Sequence, residues 1–230
     1  MTSPSTGTPV ADPLTSSPLG ARLARRLRLQ VLSGELPPHS HLVESRLAEQ
    51  HGVSRGPVRD ALKELEHEGL AYPARQGYRV ATITRRDVDE IFSIRHMIER
   101  TAVESGLIAD ADWLPLEDAA GRMREAAARG EQAAFAEADL QFHRTVLQIG
   151  GGKRSQAVWN LFEPTLAALF TLNPQPGENL VRSAEDHASL PAMLRAGDET
   201  WRSWLHCHLE GARLRFLETM PVPVPEGDLP

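Results

Sequence analysis

The chain has 230 residues and carries 25 Lys and Arg against 31 Asp and Glu, a formal net charge of −6. A hydrophobic share of 41% and a charged share of 24% are ordinary for a globular protein, which excludes wholesale disorder and collagen-like repetition; the negative sum excludes a uniformly basic nucleic-acid coat. The length suits two compact domains, and the charge divides with it: residues 1–84 hold 10 basic and 8 acidic side chains, residues 85–230 hold 15 and 23.

Residues 1–17 are rich in Ser, Thr and Pro, with no basic start and no apolar run. They read as a disordered arm and not as a secretory signal. Leu23, Leu27, Val31 and Leu32 then recur at helical spacing up to Gly34. Leu42, Leu47 and Ala48 mark a second, short helix ending at Gly52. Ser54 is the expected N-cap of a third, which carries Val58, Ala61, Leu62 and Leu65 on one face and ends at Gly69. Leu70–Pro73 and Tyr78–Ile83 read as two strands around a turn. Beyond a boundary near Thr84 the pattern is helical throughout, with helices expected near 85–109, 113–129, 131–149, 154–172, 179–196 and 199–219. Pro191 cannot donate to the carbonyl of His187, which predicts a kink or a late start in the fifth of these. Residues 221–230 read as a flexible tail. The expected fold is mainly α: a winged helix-turn-helix domain at 18–84 and an all-α bundle at 85–220. One cysteine, Cys207, precludes an intrachain disulfide and reads as a small buried hydrophobe. No apolar run has the length of a membrane span, so a soluble cytoplasmic protein is expected.

The segment from Leu47 to Arg59 has helix-turn-helix grammar. Ala48 lets two helices approach, Gly52 makes the turn, Val53 plugs the space between the helices, and Ser54 opens a helix suited to a major groove. Pro57 is tolerated in its first turn. Arg55 and Arg59 lie four apart on one face, where a guanidinium can pair with guanine O6 and N7. Gly56 removes bulk beside them. Arg75 and Gly77 mark the tip of the strand pair, and Arg79 lies beyond. The expected DNA-binding set is therefore Ser54, Arg55, Gly56, Pro57, Arg59, Arg75 and Gly77. Leu42-x-Glu44, Leu47-Ala48, Gly52-Val53-Ser54-Arg55-x-Pro57-Val58-Arg59-x-Ala61-Leu62, Glu68-Gly69-Leu70 and Gly77-x-x-Val80 closely resemble the winged helix-turn-helix domain of GntR-type transcription regulators. Pro38-His39 stands where that family usually has Pro-Gly, and Gly56 where Thr or Ser is common. The resemblance implies a homodimer on a palindromic operator in double-stranded DNA.

In the second half, Asp139 and His143 are four apart and share a helix face. His187 and His208 lie on two other expected helices. One carboxylate and three imidazoles suit Zn²⁺, Ni²⁺, Mn²⁺ or Fe²⁺ with positions left for a ligand's oxygens. The same spacing also suits an ordinary surface pair, and His206 competes with His208 as the last ligand. Arg95 could clamp a ligand carboxylate, with Arg144 beside His143 as the alternative; Arg95 reads equally well as an ion pair with Glu99 one turn on. Trp201 and Trp204 read as core or dimer packing. Arg95-x-x-x-Glu99, Asp139-x-x-Phe142-His143, Glu185-x-His187, Ala196-Gly197-Asp198 and His208-Leu209 resemble the FCD subgroup of the GntR regulators. That resemblance implies a metal (Zn, Ni or Mn) on Asp139, His143, His187 and His208, a small organic acid as effector, and repression relieved by that acid. The alternative from another class is a metal-dependent, hydrolase-like enzyme with an appended DNA-binding domain.

Overall fold

The computed structural model describes residues 19–174 and 177–219. The arm expected at 1–17 and the tail expected at 221–230 lie outside the described residues. The first part runs α1 (Leu19–Leu32), β1 (His41–Leu42), α2 (Glu44–His51), α3 (Arg55–His67), β2 (Ala71–Pro73) and β3 (Tyr78–Val80). The three strands form an antiparallel sheet in the order β1-β3-β2, with Leu42 opposite Tyr78 and Tyr72 opposite Arg79. Pro73 is tolerated because β2 is an edge.

Leu42 thus belongs to a strand, not to the short helix. Its side chain is 1% exposed and joins the sheet to the core of Leu27, Val58, Leu62, Leu65 and Val80. A two-residue strand has no period of its own, and only its partner Tyr78 defines it. Gly77, at φ +84, turns the wing, and a Cβ there would meet the carbonyl oxygen of Leu42 at 2.5 Å. His39 also lies in the left-handed region, at φ 65, where a side chain costs more than glycine. Its ring lies 3.1 Å from the Tyr72 hydroxyl and 3.3 Å from that of Thr82.

The second part is helical: α4 (Arg85–Ile108), α5 (Leu114–Ala128), α6 (Gln132–Gly150), α7 (Lys153–Leu172), α8 (Gly177–Ala196) and α9 (Trp201–Thr219). Thr84 opens α4 with a capping box, its hydroxyl accepting from the Asp87 amide while Asp87 accepts from the Thr84 amide. Helix α5 packs on α6 and α8, and α4 on α6 and α9. Their shared core includes Phe92, Met123, Phe142, Trp159 and Trp201. Helix α8 does not start late: it runs continuously through Pro191 from ten residues before His187. Cys207 is exposed, contrary to expectation, because with His206 it lies on the face of α9 turned away from buried Leu205 and Leu209.

The two cores meet at α7. Ala168 is buried in the first core, Leu169 packs against it, and α1 lies along α7.

Candidate functional site

The N-terminal part presents the start of α3 to solvent. Gly52 ends α2 in the left-handed conformation, φ 63, which lets the chain reverse within three residues. Val53 is half-buried against the core. Ser54 has the extended backbone of an N-cap, but its side chain makes no capping bond. Ser54 is exposed at the start of α3, where the first amides of a helix lack intrahelical partners and an anion can bind. Arg55 and Gly56 are exposed beside it, and Pro57 is half-buried. Arg59 is exposed as well, yet its guanidinium donates to both carboxylate oxygens of Glu44, at 3.3 and 3.1 Å. That bond lowers the Glu44 carboxyl and raises Arg59. Glu44 pre-orients Arg59 and competes with any outside partner, a role the spacing of the arginines did not show. At the wing, Arg75 is exposed in the turn before Gly77, while Arg79 donates to the His39 carbonyl at 2.7 Å. Arg59→Ala is expected to weaken specific operator binding by about 1–3 kcal/mol, the typical worth of one base-reading arginine. Gel shift at fixed salt measures it.

The helical part brings three helices to one buried point. Asp139 and His143 come from α6, His187 from α8 and His208 from α9. One ring nitrogen from each of the three histidines lies within 4.8 Å of the other two. Asp139 reaches Nε2 of both His143 and His187 at 3.6 Å. His206 instead faces outward, its ring 5.6 Å from that of His96.

Each imidazole is held from its far side. His143 Nδ1 lies 2.7 Å from the Glu99 carboxylate, His187 Nδ1 lies 2.7 Å from the Ser183 carbonyl, and His208 Nδ1 lies 3.2 Å from Asp186. All three partners only accept, so the Nδ1 atoms carry the protons. In the neutral rings the Nε2 lone pairs then face inward, and those of His143 and His208 stand 3.3 Å apart. Lone pairs so arranged repel each other and suit a shared cation. His187 Nε2 is buried without a hydrogen-bond partner. Burial, with His208 close by, pushes His187 down to about 3, so its ring stays neutral at neutral pH. Burial lowers His208 too. The set fits a divalent metal.

Arg95 lies behind this cluster on α4, 1% exposed, between the rings of Phe92 and Trp159 at 5.3 Å each. Its Nε donates to Glu99 at 3.0 Å, but its Nη2 is buried without a partner. Both readings of Arg95 therefore meet in one side chain, with one edge paired and one edge open. Glu99 is 0% exposed. Burial alone would raise its carboxyl, but His143 and Arg95 outweigh that and hold it down to about 2. Arg144 is committed elsewhere, to Glu163 and Gln141. In the sequence, Glu99 is marked only as a partner for Arg95 one turn away, and no spacing marks Trp159. That ring stacks on His143 at 6.2 Å and donates from Nε1 to Glu163 at 2.6 Å. Trp204 stacks on His208 at 4.8 Å, and Trp201 is core.

A winged helix-turn-helix joined to an all-α bundle defines a DNA-binding transcription regulator. Residues 90–211 match the FCD domain, and residues 19–78 match the bacterial regulatory proteins of the gntR family. The chain belongs to the gntR family and carries an FCD domain. It is 28% identical over 162 residues to the gluconate operon transcriptional repressor of Bacillus subtilis, covering 70% of this chain and 67% of that protein. It is 28% identical over 193 residues to the transcriptional regulator McbR of Escherichia coli, covering 80% and 85%. A GntR regulator of known structure from Rhodococcus sp. RHA1 has the same fold, with a TM-score of 0.66 at 21% identity over 89% of this chain and all of that one. These proteins are regulators, which sets the enzyme alternative aside. No helix among the described residues is long and apolar enough to cross a membrane.

Proposed function

We propose that this regulator is a cytoplasmic homodimeric repressor that releases a palindromic operator when its helical domain (85–220) binds a small organic acid. Asp139, His143, His187 and His208 would hold a divalent metal, Zn, Ni or Mn. Bound there, the ion would supply a Lewis-acid position for a carboxylate oxygen. The observation that carries the reading is the pair of buried groups without partners, His187 Nε2 and Arg95 Nη2, on the same cluster. An acceptor for the open edge of Arg95 would be a second carboxylate oxygen, because a guanidinium presents parallel donors. In the winged domain (18–84), Ser54, Arg55, Gly56, Pro57 and Arg59 would meet the major groove, with Arg75 and Gly77 on the adjacent backbone.

Metal analysis of the purified protein, followed by titration of the chelator-stripped protein with Zn²⁺, Ni²⁺ and Mn²⁺, tests the site. His187→Ala is expected to lower metal affinity by more than the roughly 10–100-fold lost with an outer hydrogen-bond partner. Gel shifts on the DNA upstream of the gene, with and without a panel of dicarboxylates and sugar acids, test the switch. Metal binding unchanged in His187→Ala, or operator binding indifferent to every acid and metal, would refute the reading.

A further inference from the structure

We propose that α7 couples the histidine cluster to the DNA-binding part, through Glu163 on one side and Thr165 on the other. This rests on the metal-site reading above. Towards the cluster, Trp159 lies against His143 and Arg95, and its Nε1 donates to Glu163 at 2.6 Å. Glu163 in turn holds Arg144 of α6, the helix that carries Asp139 and His143. Towards the DNA-binding part, the Thr165 hydroxyl donates to Glu68 at 3.1 Å. Glu68 follows directly on the end of α3 and also accepts from the Nε and Nη2 atoms of Arg28 on α1. Thr165 and Arg28 are each 4% exposed, and the Glu68 side chain is 6% exposed.

The helix period makes this possible. Two residues apart means roughly 200° of rotation, so Glu163 and Thr165 face opposite sides of α7. Pro164 between them has no N–H for the carbonyl of Asn160, so one rung of the helix is missing where the two contacts diverge. A ring movement at Trp159 therefore reaches a buried charged pair in the DNA-binding part over about 9 Å of helix, six residues at 1.5 Å each. An occupied site changes the placement of that part only if it favours one setting of α7 over another. Thr165 is a positioning residue and touches no ligand.

The test is hydrogen exchange on the full chain, with and without Zn²⁺, beside a Zn²⁺ titration. In the wild type, Zn²⁺ is expected to change protection of the α1 amides around Arg28 several-fold. In Thr165→Val that response is expected to fall to half or less with Zn²⁺ affinity unchanged, and Thr165→Ser is expected to restore it. If Thr165→Val does not fold, Thr165→Ala takes its place. Unaltered α1 protection in the wild type, or an undiminished response in the variant, overturns the coupling. The titration shows separately whether the metal site fails with it.

Discussion

Glu99→Gln is expected to cost the protein about 3–5 kcal/mol of folding stability, the usual penalty for removing one partner of a buried ion pair. Glu99 has no exposed surface, and its two oxygens accept from Arg95 at 3.0 Å and from His143 at 2.7 Å. A glutamine keeps the shape but offers one oxygen. Its amide N–H₂ then faces either the Arg95 donor or the His143 Nδ1–H, donor against donor, and the Arg95 charge stays buried without compensation. Against a typical total of about 5–15 kcal/mol this is a large fraction. Urea unfolding reads it directly, and a loss below about 1 kcal/mol would mean the pair behaves as a solvated surface bridge. The same variant is expected to lower Zn²⁺ affinity about 10–100-fold, because His143 loses the carboxylate that orients it. Acid stability gives a third reading. The folded carboxyl is depressed from 4.5 to about 2. Its contribution is thus complete above 4.5 and is lost as the pH falls towards 2, and Glu99→Gln is expected to remove that part of the acid sensitivity.

Gly150→Ala is expected to destabilise the protein too, by sterics and not by charge. A Cβ at Gly150 would stand 1.9 Å from the Ala102 carbonyl oxygen and 2.8 Å from the Gly106 amide nitrogen. Both belong to the backbone of α4, which cannot swing aside as a side chain can. Helix α6 would have to lift from α4 at its C-terminal end, and overpacking of this kind costs about 1–3 kcal/mol or more. The site suffers with it, since α6 carries Asp139 and His143 while α4 carries Arg95 and Glu99. Thermal unfolding and Zn²⁺ titration measure the two effects. Gly121→Ala is the control: nothing lies within 4 Å of its added Cβ, so removing a mid-helix glycine there is expected to stabilise by roughly 0.5–1 kcal/mol. A Gly150→Ala protein as stable as the wild type would mean that α4 and α6 do not meet backbone to backbone.

Most helices were legible because their apolar residues repeat at the helical period and their ends carry glycine or a cap. The capping box of Thr84 and Asp87 was equally legible, as Thr-x-x-Asp before an apolar face, though sequence reading stopped at the boundary itself. The strand at Leu42 was not, since its definition lies 36 residues away in Tyr78. The exposure of Cys207 was not legible, because a lone residue between two histidines, His206 and His208, has no periodicity of its own.

The sequence by itself determined the helix-turn-helix, the wing and the succession of long helices, and it offered Asp139, His143 and His187 with either His206 or His208 as one set, because each rests on local spacing or on family likeness; the structure places His208, not His206, beside the other two imidazoles. The tertiary structure alone decided which partners the charged groups take. It shows Arg59 held by Glu44, Arg144 held by Glu163, and Arg95 paired on one edge and open on the other. It also shows that Glu99 and Trp159 stand behind the imidazoles. A charged or aromatic side chain finds its partner through distance in space and through burial, which strengthens every such contact. Neither quantity is written in the spacing of residues along the chain. The opening division of charge shows the same limit. The slight basic excess in the first 84 residues was too small to mark a DNA-binding half, which rested on the placement of Arg55, Arg59 and Arg75, and the acidic half conceals in its interior a cationic arginine and three inward-facing imidazoles.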